Sequence, residues 1–178
     1  IALKIPNTPP PQNIYPFFSY LIQQSSLSYY TSFNEDRLTL ALKGIFGDII
    51  GAKKTKIPIP DRFFGGSDTI LRGYKTGTIS PTDKKGRFIG GDSMLAGSVE
   101  LRIRQKQESL GWVLFYDIGE VYKKRYPDKF FSLLHSLGVG IRYSTPIGPL
   151  RLDIAFPLNR RKGIDPFMQL YFSIGQSF

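Results

Sequence analysis

Hydrophobic and polar residues alternate with a period of two through most of this sequence. In one segment, Val99, Leu101 and Ile103 alternate with Glu100 and Arg102. Successive side chains of a β-strand point to opposite faces of the sheet, so this alternation predicts a strand with one apolar and one charged face. The same pattern recurs near residues 15–33, 38–47, 112–119, 137–144, 150–156 and 167–178, and residues 1–5 resemble the end of another strand. We therefore predict about eight strands in one antiparallel meander.

The charged faces of these strands indicate which side of the sheet meets lipid. Leu, Ile, Val and aromatic residues occupy one set of faces, and the opposite faces carry charges of both signs: Glu100, Arg102, Arg104, Arg142, Arg151 and Asp153. Charges of both signs can pair around the wet lumen of a transmembrane β-barrel. A soluble barrel with its apolar face inside is the alternative, because the period alone does not say which face is buried. We predict the fold class as all-β, an antiparallel transmembrane β-barrel.

One long segment, at about residues 51–92, interrupts the alternation. Its many glycines and prolines leave no room for a long strand or helix. A connection of this length between regular strands is unusual and is normally functional or disordered. Its aromatic residues argue for order and are Phe63, Phe64, Tyr74 and Phe88. We therefore expect an ordered loop with a function.

Composition narrows the function classes. The chain of 178 residues has no cysteine, which excludes disulfides, thiol nucleophiles and cysteine-based metal sites. No apolar run approaches the roughly 20 residues of a spanning helix. The net charge of +10 invites a nucleic-acid interpretation, but the basic residues are spread over predicted loops and strand faces, so we expect no nucleic-acid partner.

Catalytic chemistry is not indicated either. His135 is the single histidine and lies at the predicted start of a strand, with no nucleophile or metal ligand at a useful spacing. Asp61, Asp68 and Asp92 lie in glycine-rich loop sequence without metal-ligand spacing. No glycine-rich nucleotide motif stands between a strand and a helix. We expect no enzyme activity, no cofactor and no metal.

Five motifs resemble the C-terminal half of the outer-membrane protein insertases and translocators of the BamA and TamA type. They span about residues 57–178 and read PDRFFGGSDTILRGY (60–74), GGDSMLAGSVELRIR (90–104), VLFYDIGEVY (113–122), LGVGIRYSTPIGPLRLDIAFPL (137–158) and YFSIGQSF (171–178). The wording GGSDTILRGY and the aspartate of FYDIG are closer to TamA than to BamA. The resemblance implies a barrel of about sixteen strands, of which this chain holds the C-terminal half. It also implies that residues 1–178 form a single, partial outer-membrane domain whose loop 51–92 is directed into the lumen.

The resemblance assigns a role to the tripeptide Arg72, Gly73 and Tyr74. Arg72 is similar to an arginine that the long external loop places inside the lumen. Its natural partners here are Asp117 and Glu100, because both carboxylates are expected to point away from lipid. Gly73 would permit a sharp turn, and Tyr74 would pack the loop against the wall. Taken alone, the tripeptide would be an ordinary turn.

The last strand carries the second set of candidate residues. Leu170, Phe172, Ile174 and the terminal Phe178 resemble the C-terminal signal that assembly machinery recognises, with strand addition at an exposed edge as the physical means. Gly175 would weaken pairing near a seam that must open. A plain last barrel strand with an interfacial aromatic anchor is the alternative, and both can hold together.

The resemblance implies an outer-membrane assembly or translocation factor that inserts or secretes β-barrel or autotransporter proteins through a lateral seam. The expected partners are outer-membrane lipid and lipopolysaccharide, unfolded client proteins and a periplasm-spanning subunit of the TamB type, all at the bacterial outer membrane. Two alternatives are a passive barrel anchor for a surface antigen or an upstream enzyme domain, and a soluble basic binding protein. The chain begins at Ile1 without a methionine or signal segment, which favours a piece of a longer precursor.

Overall fold

The computed structural model describes residues 2–4, 19–35, 37–51, 57–104, 109–125, 133–146 and 148–175. They form one eight-stranded sheet in which every strand pairs antiparallel with the next along the chain, so that β1 and β8 lie at the two edges. The strands are β1 Ala2–Lys4, β2 Tyr20–Phe33, β3 Leu38–Ile50, β4 Ser93–Arg104, β5 Leu110–Tyr122, β6 Leu134–Thr145, β7 Gly148–Pro157 and β8 Gln169–Ile174. The predicted all-β antiparallel meander is confirmed. Within the described ranges, no helix is long and apolar enough to cross a bilayer.

Cross-strand pairing separates the side chains into two faces. One row across the sheet consists of Leu40, Leu101, Leu114, Val139, Ile154 and Leu170. The neighbouring row, one residue along each strand, consists of Ala41, Glu100, Phe115, Gly138, Ala155 and Gln169. We call the face with the first row the outer face and the face with the second row the inner face.

The outer face is apolar and exposed, whereas the inner face buries charge. Leu114, Val139 and Leu170 are 47%, 49% and 59% exposed, but Glu100 and Asp153 are fully buried at 0%. Soluble proteins bury apolar side chains and expose charged ones. The structure therefore has the orientation predicted for a membrane barrel and not the one required by the soluble alternative.

The segment between β3 and β4 covers the inner face. We call residues 57–92 the inner loop. Its apolar side chains pack against those of the sheet in one buried cluster, to which the inner loop contributes Ile57, Phe63, Leu71, Tyr74 and Ile79 and the strands contribute Tyr20, Ile45, Ile49, Met94, Ala96 and Val121. Isolated β-bridges join Phe63 to Gly91, Gly65 to Ile79 and Thr82 to Phe88. The inner loop is thus an ordered element held by a hydrophobic core that it shares with the sheet, as its aromatic content predicted.

Several strand boundaries differ from the sequence prediction. The segment predicted from about residue 15 to 33 is one strand that starts at Tyr20, and β5 extends to Tyr122 instead of ending near Gly119. The extension of β5 was missed because Glu120 falls on the outer face, where the prediction expected apolar residues. The last strand ends at Ile174, before Gly175 with a φ of +73°.

Placing a cation on the outer face tests which side of the sheet meets lipid. We expect Val99→Arg, in the full-length protein, to destabilise the folded state in phospholipid vesicles by about 2–4 kcal/mol, because a charge on the lipid face must enter hydrocarbon. Ser28→Arg is the matched control, since Ser28 pairs with Lys43 of β3 and shares its inner face. Urea titration of each variant folded in vesicles measures its free energy of unfolding. Equal effects of the two substitutions would show that the outer face does not contact lipid.

Candidate functional site

The inner loop turns sharply around Arg72. Leu71 and Gly73 flank the arginine and have left-handed φ values of +59° and +93°. A methyl group on Gly73 would lie 3.2 Å from both the backbone nitrogen of Pro157 and the Cβ of Ser136. Gly73 therefore allows the loop backbone to touch the sheet wall. This close approach directs the Arg72 side chain along the inner face.

All five N–H groups of the Arg72 guanidinium have acceptors. Nε and Nη2 donate to Asp117 Oδ2 and Oδ1 at 2.7 and 2.8 Å. Nη1 donates to Glu100 Oε1 at 2.8 Å and to Asp153 Oδ2 at 3.1 Å. Nη2 also donates to Ser98 Oγ at 3.1 Å, and the backbone N–H of Arg72 donates to Asp117 Oδ2 at 3.1 Å. Since arginine has five side-chain donors, its hydrogen-bonding capacity is filled.

The three carboxylates come from three strands, and two of them also bind three further arginines. Glu100 lies on β4, Asp117 on β5 and Asp153 on β7. Glu100 accepts from Arg102 at 2.8 Å, and Asp153 accepts from Arg151 at 2.7 Å and from Arg142. Four cations therefore surround three anions. We call these residues the charge cluster: Arg72, Glu100, Arg102, Asp117, Arg142, Arg151 and Asp153.

The centre of the charge cluster is closed to solvent. The Arg72 side chain is 2% exposed, and those of Glu100 and Asp153 are 0% exposed. Burial by itself lowers the pKa of Arg72, but the hydrogen bond and charge of Asp117, together with Glu100 and Asp153, raise it above its ordinary value. Removing one partner from such a buried network leaves an uncompensated charge and costs about 3–5 kcal/mol. The guanidinium also lies 3.5 Å from the centre of the Phe115 ring, a cation–π contact.

The wall of the sheet is shaped to receive this cluster. A methyl group on Gly138 would lie 2.1 Å from the Phe115 ring, and one on Gly140 would lie 2.1 Å from Asp153 Oδ1. The two glycines therefore make room for the aromatic ring and for the carboxylate. Both glycines lie on the inner face of β6, and their close packing explains why no larger side chain fits there.

The residues after Arg72 contact the last third of the sheet. The Tyr74 hydroxyl donates to the carbonyl of His135 on β6 at 2.7 Å. The Gly73 N–H donates to the hydroxyl of Tyr171 on β8 at 2.9 Å. Tyr74 therefore packs against the sheet wall, where its hydrogen bond to the His135 carbonyl holds it. The contact of Tyr171 was not foreseen, because alternation assigns a face to a residue but not a partner.

A second arginine fastens the inner loop to the connection between β7 and β8. Arg161 donates from Nε and Nη2 to the two oxygens of Asp165 at 2.7 and 2.8 Å. It also donates to the Thr78 carbonyl at 2.9 Å and to the Thr78 hydroxyl at 3.1 Å. The hydrogen bond and charge of Asp165 raise the pKa of Arg161. Sequence reasoning missed this contact, although an arginine four residues before an aspartate in a loop is a usable signal.

The structure brings the predicted loop residues together with their predicted partners, and it places the last-strand residues elsewhere. Arg72 reaches both Asp117 and Glu100, and Asp153 is the partner that sequence reasoning missed. Leu170, Phe172 and Ile174 lie on the outer face of β8 and are 59%, 66% and 52% exposed. Phe178 lies outside the described residues.

The charge cluster contains no metal site among the residues the structure describes. Nowhere in those ranges do three or more His, Asp or Glu side chains have an arrangement that could hold a metal ion. In the charge cluster, the carboxylate oxygens face guanidinium groups. The arrangement is suited to holding the inner loop against the sheet.

Comparison with known proteins identifies the family. The model of the Omp85 superfamily domain matches residues 17–178, which include every strand except β1. The chain belongs to the Omp85 superfamily. Its outer-face hydrophobicity agrees with the location of such barrels in the bacterial outer membrane, so the predicted family and location are confirmed.

Three relatives give the comparison detail. The outer membrane protein assembly factor BamA of Nitratidesulfovibrio vulgaris is 32% identical over 74% of this chain and 17% of its own length. BamA of Neisseria meningitidis serogroup B is 28% identical over 86% of this chain and 24% of its own length. Crystalline BamA from Haemophilus ducreyi lacking POTRA domains 1–3 superposes with a TM-score of 0.70 at 24% identity, over 85% of this chain and 34% of that one. This chain therefore spans about a quarter or less of the two assembly factors' sequences, and its greater similarity to TamA stays a prediction.

Removing the Arg72 side chain tests whether the charge cluster holds the Omp85 inner loop. We expect Arg72→Ala to increase the rate at which an added protease cleaves residues 57–92 at least tenfold, because three buried carboxylates lose a shared cation. Arg87→Ala is the control: Arg87 lies in the same loop but pairs with Asp83 at the surface, and its side chain is 74% exposed. Cleavage at the same rate in both variants would contradict the anchoring role of Arg72.

The glycine after Arg72 gives a separate test of the close approach. Gly73→Ala and Gly77→Ala both place an alanine at positive φ, +93° and +76°. A methyl group at Gly77 meets nothing within 4 Å, whereas one at Gly73 meets the sheet wall. We expect Gly77→Ala to lower the free energy of unfolding by about 1 kcal/mol through backbone strain, and Gly73→Ala to lower it further. The thermal unfolding midpoint in detergent measures this, with a larger drop for Gly73→Ala. Equal drops would show that the contact with the wall is unimportant.

Proposed function

We propose that this chain is the C-terminal barrel portion of an assembly or translocation factor, which inserts or secretes β-barrel or autotransporter proteins through a lateral seam at the outer membrane. The observation that carries the proposal is the complete burial of Arg72 in a cluster built from three strands. A barrel that served only as an anchor would have no need to fix a long loop inside itself at such a desolvation cost. Membership in the Omp85 superfamily and the BamA names of the relatives support the same function.

The seam lies at β8 in this proposal. β8 has six residues, and β7 is its partner within the described sheet; an open seam would leave its other edge with backbone N–H and C=O groups to offer. An extended client segment can add to such an edge by backbone hydrogen bonding. Gly175, at a φ of +73°, ends the regular strand and weakens this margin. The outer-face residues Leu170, Phe172 and Ile174, with the terminal Phe178, supply the apolar side of the strand signal.

The inner loop keeps the wall of the barrel in its working shape. Arg72 joins β4, β5 and β7, and Gly73 and Tyr74 follow it onto the sheet wall. The process uses strand exchange and no bond-breaking chemistry, so the proposal includes neither an enzymatic activity nor a cofactor. The domain is a single partial barrel, residues 1–178, with the segment 51–92 directed into the lumen.

The partners in this proposal are unfolded client proteins, a periplasm-spanning subunit of the TamB type, and outer-membrane lipid with lipopolysaccharide. The outer face supports the lipid contact. Beyond Ile118 it becomes polar: Glu120 lies on it, Asp48 pairs with Arg125 at 3.1 Å, and the Ser93 hydroxyl donates to the Lys124 carbonyl at 2.6 Å. Lys124 and Arg125 lie in the connection that follows β5. They are thus just past the apolar band, at the level where anionic headgroups are expected.

Assembly of a client barrel tests the function. We expect Arg72→Ala, in the full-length protein, to reduce assembly of an outer-membrane client at least tenfold while the variant itself still reaches the membrane. Arg72→Lys is expected to recover little, because an ammonium group lacks the fork that serves three carboxylates. Heat-modifiable mobility of client and of variant on gels reports folding of each.

The control for this experiment is Arg87→Ala, which removes a surface cation from the same loop. A passive anchor predicts that every one of these variants supports normal client assembly. Normal client assembly by a correctly inserted Arg72→Ala protein would therefore contradict the assembly function and favour the passive anchor.

A further inference from the structure

Tyr171 connects the edge strand to the inner loop at the residue next to Arg72. Its hydroxyl oxygen accepts the Gly73 N–H at 2.9 Å and lies 3.5 Å from the Tyr74 carbonyl oxygen. Its ring packs against Val113, Phe115 and Ala155 on the inner face. Phe115 is the ring that lies under the Arg72 guanidinium. One side chain of β8 therefore touches both the loop backbone and the aromatic support of the charge cluster.

Apart from its pairing with β7, β8 is joined to the inner loop through Tyr171 in the part of the chain that the structure describes. The register pairs six residues of β8 with β7. Leu170, Phe172 and Ile174 point outward, away from the inner loop. Ser173 shares the inner face with Tyr171, but its buried hydroxyl makes no hydrogen bond in the described part of the chain.

The approach to β8 is fastened to the same loop. Arg161 lies in the connection that leads from β7 into β8 and donates to the carbonyl and hydroxyl of Thr78 in the inner loop. The inner loop thus contacts the connection before β8 as well as the strand itself. Contacts with the loop therefore hold β8 in addition to its pairing with β7.

We propose that Tyr171 is a positioning residue that couples the seating of Arg72 to the pairing of β8. When Arg72 occupies the charge cluster, the Gly73 N–H lies within reach of the Tyr171 hydroxyl and holds β8 against the wall. When the loop leaves, this hydrogen bond is lost and β8 is released for exchange with a client strand. The inference rests on the proposed function for its consequence, but the coupling itself is a property of the resting protein.

Hydrogen exchange of the full-length protein in lipid nanodiscs, without client, measures the coupling. We expect Tyr171→Phe, which removes one hydroxyl, to speed exchange of the amides in residues 169–175 roughly two- to tenfold, the factor that one hydrogen bond contributes to an opening equilibrium. Ser173→Ala removes a hydroxyl from the same face of the same strand and is expected to leave the exchange rate unchanged.

A double-mutant cycle separates coupling from general weakening. Arg72→Ala is expected to speed exchange of residues 169–175 at least as much as Tyr171→Phe. The double variant is expected to match Arg72→Ala alone, because an unseated loop has already lost the Tyr171 bond. Unchanged exchange in Tyr171→Phe, or effects that simply multiply in the double variant, would overturn the coupling.

Failure of the coupling is distinguishable from failure of the proposed function. The exchange experiment contains no client, so its result does not depend on what the protein assembles. Normal client assembly by Arg72→Ala would remove the assembly function and leave the exchange result standing. If Arg72→Ala impairs client assembly while Tyr171→Phe leaves the exchange rate unchanged, the assembly function is retained and the coupling is overturned.

Discussion

The structure depends on the cost of burying the Arg72 guanidinium. A cation without water must have anions and hydrogen-bond acceptors within reach, and here they come from β4, β5 and β7. Those strands must keep their register, because a shift by one residue would turn Glu100, Asp117 or Asp153 to the outer face. The inner loop must also approach closely enough for its backbone to contact the wall. One electrostatic requirement therefore constrains the path of the loop, the register of the strands and the composition of the inner face.

The inner face combines this charge cluster with an apolar core. Toward one end, side chains from the inner loop and the strands pack together around Ile45, Met94 and Tyr74. Next to it, the carboxylates and arginines of the charge cluster surround Arg72. The apolar part supplies most of the free energy that orders the loop, and the charged part fixes where the loop lies, since hydrophobic contacts are not directional.

Much of the fold was predictable because alternation is a local property. The two faces follow from the sequence once charges such as Glu100 and Arg102 are assigned to the lumen, and glycines and prolines mark the long connection. The partners Asp117 and Glu100 could be named because a family resemblance supplied the role of Arg72. Asp153 could not, since it lies 81 residues from Arg72 and meets it only through the path of the sheet. The contact of Tyr171 was unpredictable for the same reason, and the length of β5 was missed because Glu120 breaks the apolar pattern.

The distribution of the three carboxylates has a mechanical consequence. Because Arg72 is tied to β4, β5 and β7, and β6 lies between two of these, the four strands are cross-braced and resist sliding past one another. Deformation of the wall is thereby expected outside these four strands, at β8 and at β2, whose side chains are mostly exposed on both faces. A single guanidinium thus stiffens four neighbouring strands and leaves the strands on either side of them more deformable.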